Sequence, residues 1–332
     1  MNQQPPAHQG NHGMWLGLLG IVIFSVTLPM TRLAVGTPEA PQMSGVFVAL
    51  GRAVVAAALS AAFLLATRAP LPRREDWGPL IITAGGVVFG FPLLTSMAMR
   101  YVEAIHASVI VGVLPLATAA VGALLHRQRP STGFWLCAAL GSALVVVFAM
   151  LRSGSTGGPA IHFADLLLLA AMLCAAVGYA YGARLSQQMR AEQVICWALV
   201  ISLPLSLPLA FLSWPVAPLK ASAWWGFAYV SVFSMWLGFF AWYRGLALGG
   251  TVRVSQVQLV QPSLSMLFAV PLLGESLDGV TVGFALAVIA TVFIGKKMPV
   301  HTPALRGRHE HQEHSCWQGG LPDLTARQEE EP

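Results

Sequence analysis

Ten apolar stretches of 17 to 24 residues follow one another along the chain, separated by short polar segments. In a helix, ~20 residues at ~1.5 Å each cross the ~30 Å hydrocarbon core of a bilayer. Backbone polar groups in lipid must be paired within their own segment, so we predict a helix for every stretch. The predicted spans are 14–33, 43–66, 78–98, 104–125, 132–151, 164–184, 194–213, 222–245, 253–273 and 279–295.

The fourth and ninth spans share one pattern. At an offset of 147 positions, residues 108–128 align with residues 255–275 without a gap, and Pro115 falls on Pro262. Proline has no backbone N–H, so Pro262 is expected to leave the carbonyl of Gln258 without its helical donor. A free carbonyl at membrane depth must meet protein or water, which indicates that both helices face a cavity.

The repeat divides the whole chain into two halves. Five helices is an odd number, so the second copy enters the membrane from the opposite side, as in many transporters. The predicted fold is an all-α integral membrane protein with ten transmembrane helices in two inverted five-helix repeats. We predict a polar N-terminal tail (1–13), a first repeat (14–152), a linker loop (153–162), a second repeat (163–297) and a disordered C-terminal tail (298–332).

Lys and Arg near the span ends indicate the orientation, because cytoplasmic loops carry an excess of them. With both termini in the cytoplasm, the inner loops and the C-terminal flank hold eleven such residues and the outer ends hold four. Arg32, on the outer side with no charge ahead of Met14, argues locally for the opposite orientation. We predict cytoplasmic termini in a plasma membrane, in bacteria the inner membrane.

Composition agrees with a membrane protein and excludes several other classes. The 332 residues are 56% hydrophobic and 10% charged, with a mean hydropathy of +0.67. The net charge of +5 comes from loop residues, which is a topology signal and not a nucleic-acid surface. Four isolated cysteines predict neither a disulfide framework nor a zinc site. A histidine cluster in the tail, 309–316, lacks the fixed geometry of a metal site.

The motifs of common membrane enzymes and ATP-driven pumps are missing from the sequence. It has no Gly-rich phosphate loop with its Lys, no Gly-x-Ser-x-Gly and no His-Glu-x-x-His. We therefore predict no enzyme, no catalytic residue, no cofactor and no metal. Every Asp and Glu, Asp165 included, lies in a tail, a loop or a span end, so no intramembrane carboxylate relay is expected.

A polar stripe marks the ninth span. At 100° per residue, Ser255, Gln258, Gln261, Pro262 and Ser265 fall within about a third of the helix circumference. Such side chains avoid lipid, so the stripe faces protein or water. It either forms hydrogen bonds between helices or lines a substrate cavity, and the proline beside it favours the cavity.

Arg52 is the one basic residue well inside a span, and no acidic partner is evident in any span interior. It either bonds to free carbonyls and reaches toward the outer face, or binds an anionic substrate group such as a carboxylate. Trp236, Phe240 and Tyr243 share a helical face and serve as core anchors or as a stacking surface. His106 is either structural or a proton carrier.

Four Gly-x-x-x-Gly pairs predict close helix packing. They are Gly13 with Gly17, Gly86 with Gly90, Gly178 with Gly182 and Gly245 with Gly249.

The chain resembles the EamA family of the drug/metabolite transporter superfamily over residues 14–295. The residues that carry the resemblance are Arg52 in the second span, Ala98-Met99-Arg100-Tyr101 leading to Leu114-Pro115-Leu116, Trp242-Tyr243-Arg244-Gly245-Leu246 leading to Gln261-Pro262, and Gly274-Glu275. One departure is that the first repeat ends in Arg127-Gln128 instead of the expected Gly-Glu.

The resemblance implies a plasma-membrane carrier for small polar metabolites, often an exporter of amino acids, although some relatives import vitamins. Together with the residues above, it predicts a secondary transporter whose partners are a small-molecule substrate and the lipid bilayer, without nucleic acid. The sequence leaves open whether the protein forms a homodimer. The rival hypothesis is a membrane scaffold or sensor that uses the tail. Candidate substrate contacts are Arg52, Ser255, Gln258, Gln261, Trp236 and Tyr243, with His106 as the candidate proton carrier.

Overall fold

The computed structural model describes residues 7–125, 129–153, 163–249, 254–297 and 300–301. Most of these residues are helical. The two strands in this part of the chain, β1 (Arg129–Pro130) and β2 (Val300–His301), form one short antiparallel pair. The predicted all-helical membrane architecture is confirmed at this level. The predictions for the N-terminal tail, the C-terminal tail and the linker concern residues that lie largely outside the described ranges.

The helices follow the apolar stretches in order. Within the described ranges, seven helical segments are long and apolar enough to cross a membrane, and three shorter apolar ones accompany them. The helices are α1 (Ala7–Ser25), α2 (Thr27–Val35), α3 (Gly45–Ala66), α4 (Trp77–Thr83), α5 (Phe91–Ala98), α6 (Ala104–Val111), α7 (Leu114–Leu125), α8 (Thr132–Ser153), α9 (Phe163–Leu185), α10 (Ala191–Leu212), α11 (Ala221–Tyr229), α12 (Gly238–Gly249), α13 (Gln261–Leu273) and α14 (Gly279–Lys297).

A π-helical segment interrupts one span in each half. Residues Ala84–Gly90 join α4 to α5, and residues Val230–Leu237 join α11 to α12. At the 147-residue offset of the sequence repeat, the two segments coincide to within one residue. A π-helical turn contains more residues than an α-helical turn. Side chains after it therefore point in directions that differ from those expected for an uninterrupted α-helix.

The fourth and ninth spans are both broken next to their prolines. Gly112 and Val113 separate α6 from α7, and a 3-10 segment (Ser255–Val260) precedes α13. In both spans the regular helix restarts one residue before the proline. Pro115 and Pro262 therefore lie in the first turn of a helix, where the missing N–H removes no intrahelical bond. The predicted interruption is confirmed in both spans.

The main packing contacts join the two halves of the chain. α1 packs on α12 and α2 on α11, so the first span lies along the eighth. α5 packs on α9, so the third span lies along the sixth. The second span packs on the seventh through α3 and α10, the fourth on the ninth through α6 and α13, and the fifth on the tenth through α8 and α14. The buried core is therefore shared by both halves.

Two helix crossings depend on glycines of the Gly-x-x-x-Gly pairs. A Cβ atom added to Gly86 would collide with the carbonyl oxygen of Cys174 and lie 2.8 Å from the Cα atom of Gly178. A Cβ atom added to Gly245 would lie 2.7 Å from the backbone nitrogen of Gly17. The close packing predicted from the glycine pattern is confirmed at both crossings.

Two arginines hold helix ends together at one face of the bundle. The guanidinium of Arg32 donates to the carbonyl of Met99, at the end of α5. The guanidinium of Arg100 donates to the carbonyls of Val35 and Met43, at the end of α2 and just before α3. Cations at helix C-termini are favourable because the carbonyls there carry partial negative charge.

Candidate functional site

The two broken helices meet where each of them is interrupted. The position of a Cβ atom added to Gly112 lies 3.4 Å from the Cγ atom of Pro262 and 3.1 Å from Val288. Glycine at this break allows the fourth span to approach the proline of the ninth. We call this contact between Gly112 and Pro262 the helix-break interface.

The carbonyl that Pro262 was expected to free is not free. The carbonyl oxygen of Gln258 accepts a hydrogen bond from the backbone N–H of Gln261. The chain has tightened from the α-helical to the 3-10 spacing, so the donor three residues ahead replaces the proline four residues ahead. The sequence-based expectation was wrong on this bond, because it assumed regular α-helix up to the proline.

The polar stripe of the ninth span divides into two parts. Ser265 donates from Oγ to the carbonyl of Ser25 at 2.6 Å, which is a hydrogen bond between helices. Gln258 is 2% exposed, and its Oε1 atom has no hydrogen-bond partner among the described residues. Gln261 is buried as well. Ser255 begins the 3-10 segment, but its side chain lies outside the described part.

Arg52 lies on α3, buried inside the bundle. Its residue exposure is 3%, and its Nε atom has no hydrogen-bond partner among the described residues. No carboxylate in that part of the chain forms a salt bridge with it. The residue that interacts with it electrostatically is Tyr179 of α9, which is also buried. A buried guanidinium without a counter-ion is unfavourable by several kcal/mol, so its surroundings suit an anion.

A chain of aromatic side chains extends from Tyr179 to Tyr243. The ring of Tyr179 lies 6.2 Å from Trp242 and 6.1 Å from Phe239, and Phe239 lies 5.4 Å from Tyr243. Tyr243 is fully buried, and its hydroxyl has no hydrogen-bond partner in the described structure. Gly182 leaves room for this hydroxyl, because any Cβ atom there would collide with it. We call Arg52, Tyr179 and Tyr243 the Arg52 cluster.

Trp236 has a different set of neighbours. It packs against Phe63 of α3, with ring centroids 6.5 Å apart, and against Phe240 at 5.0 Å. Trp236 lies in the π-helical segment, whereas Tyr243 lies in α12 and packs on Phe239. The 100° rule that placed Trp236 and Tyr243 on one face does not hold across a π-helical segment.

A buried ionisable pair links α6 to α9. The Nε2 atom of His106 lies 2.7 Å from the Oδ1 atom of Asp165, and the two residues are 7% and 1% exposed. The imidazole also lies 5.1 Å from the ring of Phe148. Sequence reasoning missed this carboxylate because Asp165 stands in the first turn of its helix, which was taken for a span end.

A topological signal for this pair was available. In the predicted inverted repeat, the fourth and sixth spans begin on the same side of the membrane. Residues placed equally deep in the two helices can therefore meet, as His106 and Asp165 do. Asp165 lies at a span end, as the sequence indicated, but its burial there was not predicted.

Glu275 connects the end of the ninth span to the start of the fourth. Its two carboxylate oxygens accept hydrogen bonds from the backbone N–H groups of Ala104 and Ile105, both at 2.8 Å. These are the otherwise unpaired donors of the first turn of α6, and a carboxylate suits a helix N-terminus. Burial raises the pKa of Glu275, although both hydrogen bonds act in the opposite direction. Its counterpart in the first repeat, Gln128, lies outside the described residues.

No group of three or more His, Cys, Asp and Glu side chains in the described ranges could hold a metal ion. The tail cluster that includes His309 and Cys316 lies outside those ranges.

These features define a multi-pass membrane protein in which two similar halves enclose broken helices and buried, unpaired polar groups. The chain belongs to the EamA-like transporter family, which matches residues 11–150 and 162–295. Each match covers one half of the chain, in agreement with a two-repeat architecture.

One curated relative and one solved structure are similar to this chain. The uncharacterized transporter YdeK of Bacillus subtilis (strain 168) is 42% identical over 288 residues, which cover 85% of this chain and 96% of that protein. A solved crystal structure of a protein is similar in fold, with a TM-score of 0.58 at 20% identity, covering 86% of this chain and 98% of the other. The family and the relative are both named as transporters, which favours transport over an enzyme and over the scaffold or sensor hypothesis.

Proposed function

We propose that the protein is a secondary transporter that moves a small polar metabolite with a carboxylate group across the plasma membrane. Export of an amino acid or a related compound is the first candidate, and import of a vitamin or similar nutrient is the alternative. The observation that carries the proposal is Arg52, a buried cation whose Nε has no partner among the described residues. A substrate carboxylate would supply the missing counter-ion and a planar acceptor for the guanidinium fork.

The proposed mechanism is alternating access by two inverted five-helix repeats with both termini in the cytoplasm. Support comes from the packing, because the most extensive helix pairs join the two halves. A relative movement of the halves changes all these contacts together, including the helix-break interface. The short backbone segments at Gly112 and at Ser255–Val260 are places where a helix can bend without breaking a regular hydrogen-bond ladder.

Metabolite profiling tests this function directly. Cells that overproduce the protein and cells that lack it should differ in one chemical class of carboxylate-bearing metabolites, inside and outside the cell. Accumulation outside upon overproduction indicates export, and accumulation inside indicates import. Equal profiles on both sides, with the protein present in the membrane, would contradict a transport role for such compounds.

Gln258→Leu is expected to reduce transport of the identified metabolite while the protein remains in the membrane. The reason is that Gln258 offers a buried amide without a partner for its Oε1 atom, which a polar substrate can use. Transport rates in cells or proteoliposomes measure the effect. Ser263→Ala, an exposed position on α13, is the matched control and should retain full activity. Unchanged transport in Gln258→Leu would indicate that the Gln258 side chain serves helix packing and not substrate binding.

The pair of His106 and Asp165 is the proposed proton site of the transporter. Imidazole side chains act as proton shuttles in proteins. His106 bonds directly to a carboxylate between α6 of the first half and α9 of the second. Other charged groups on elements beside α6 are Arg32 on α2, Glu275 and Asp278 between α13 and α14, and Glu103 just before α6 itself. The residue of α8 that contacts the His106 ring is Phe148, which carries no charge.

His106→Gln and Asp165→Asn are each expected to flatten the pH dependence of transport between about pH 5 and 8, because each removes one member of the pair proposed to carry the proton. The measurement is transport of the identified metabolite into proteoliposomes across this pH range. Glu192→Gln, which breaks the more exposed ion pair with Arg244, serves as the control and should keep the wild-type profile. A purely structural pair would instead give lower rates with an unchanged pH profile.

A further inference from the structure

A cavity of about 540 Å³ opens at the end of the bundle opposite to Arg32 and Glu275. It lies where α3 ends and α10 begins, between the loop that joins the second and third spans and the loop that joins the sixth and seventh. The side chains that give it its chemistry are Arg68, Arg73, Arg190, Asp76, Gln193 and Trp197. One loop comes from each half, so a ligand in this cavity would touch both repeats.

The cavity is rich in guanidinium groups. Arg68, Arg73 and Arg190 contribute three positive charges, and Asp76 is the single acid among the lining residues. The Oδ2 atom of Asp76 accepts a hydrogen bond from the backbone N–H of Arg73, which partly occupies this carboxylate. Arg73 also pairs with Glu75, but at 3.5 Å and with both side chains mostly exposed, so that contact is weak. The balance of charge favours an anion.

A buried amide also faces the cavity. Gln193 is only 7% exposed and lines the cavity. Its amide can donate a hydrogen bond to a ligand in the cavity or accept one from it. Gln193 lies in the first turn of α10, a helix of 22 residues whose N-terminus favours negative charge.

Arg68 stands in an unusual backbone conformation. Its φ of 48° is the only positive φ of a non-glycine residue in the described structure. The backbone N–H of Ala69 bonds to the carbonyl of Leu64, which is the helix-ending motif that normally places glycine at the position of Arg68. An arginine in this conformation carries a backbone strain of about 1–2 kcal/mol. Such strain is typical of ligand-binding positions.

We propose that this cavity binds a phosphate group, and that its source is the headgroup of an anionic phospholipid. Arginine binds phosphate through two parallel hydrogen bonds, and three arginines with one amide fit its several oxygens. The cavity opens where spans end, which is the level of lipid headgroups in a bilayer. Leu71 and Trp197 at its wall provide the apolar contact that an acyl chain needs.

Lipid binding is measured with purified protein in nanodiscs that contain either phosphatidylglycerol or phosphatidylcholine, followed by native mass spectrometry. Wild-type protein should retain phosphatidylglycerol, and the Arg68→Gln/Arg190→Gln double variant should retain at least ~10-fold less. Gln193→Leu should also weaken retention. Arg74→Gln removes one positive charge from the loop that carries Arg68, at a position that does not line the cavity, and it should behave as wild type.

Added inorganic phosphate distinguishes the two sources of the group. Retention of the lipid in millimolar phosphate would support a phospholipid as the source of the group. Displacement of the lipid would assign the site to free phosphate and overturn the phospholipid assignment. Equal loss of phosphatidylglycerol in Arg74→Gln and in the double variant would overturn the proposal, because it would indicate general charge attraction. Equal retention of both lipids by the wild type would overturn it too. These measurements need no transport substrate, so they stand or fall independently of the proposed function.

Discussion

Replacing Arg52 with glutamine is expected to lower transport by about ten-fold or more. A hydrogen bond to a charged group is worth ~1.5–3 kcal/mol, and 1.4 kcal/mol corresponds to a factor of ten. Arg52 is the buried cation of the Arg52 cluster, so its loss removes the counter-ion for a substrate carboxylate. The rate of transport of the metabolite found by profiling, measured in proteoliposomes with equal amounts of folded protein, gives the effect.

The thermal stability of Arg52→Gln separates binding from structure. If Arg52 serves the substrate, its removal takes away an unpaired buried charge and the melting temperature stays level or rises. If Arg52 instead holds the helices together, the variant melts earlier and its lower transport follows from unfolding. Arg74→Gln, an exposed loop arginine, is the control for loss of charge as such. A stable Arg52→Gln protein with normal transport would contradict the role proposed for this residue.

Gly86→Val is expected to prevent normal assembly of the bundle. The third and sixth spans approach so closely at this point that the new side chain would meet the backbone of Cys174 and Gly178. Backbone atoms cannot move aside as a flexible side chain can, so the penalty should reach at least the ~1–3 kcal/mol typical of overpacking. The measurements are the yield of monodisperse protein in detergent and its melting temperature.

Gly85→Val is a closely matched control for this variant. Gly85 precedes Gly86 in the same π-helical segment, but a Cβ atom there would have nothing within 4 Å. Both variants carry the same change in helix propensity. A difference in yield or melting temperature between them therefore measures the effect of the close contact with α9. Equal yields and equal melting temperatures would show that the two spans can separate without loss of stability.

Much of the architecture could be predicted because membrane helices follow simple rules. The apolar runs predicted the helices, and the 147-residue offset predicted the two halves. The glycine pattern predicted two close helix crossings. The interruption at Pro115 and Pro262 followed from proline chemistry alone. What could not be predicted was how the backbone adapts, since the 3-10 turn that pairs the carbonyl of Gln258 depends on tertiary packing.

The candidate site was harder to predict, for two physical reasons. A π-helical segment leaves no clear mark in the sequence, so the face of Trp236 relative to Tyr243 could not be extrapolated. Depth is the second reason, because a residue in the first turn of a helix can still be buried by its neighbours. Asp165 at 1% exposure is such a case, and Glu275, in the loop after α13, is half-buried against the start of α6. Each involves a partner more than 50 residues away, which a local pattern does not encode.

The matching π-helical segments also bear on the history of the chain. An extra residue in a helical turn is an accident that two unrelated helices would rarely share at the same position. Its presence in both halves, at Ala84–Gly90 and Val230–Leu237, indicates that one ancestral five-helix polypeptide already carried it before the gene doubled. That ancestor would have needed a second copy of itself to cover the helix faces that now lie between the two halves.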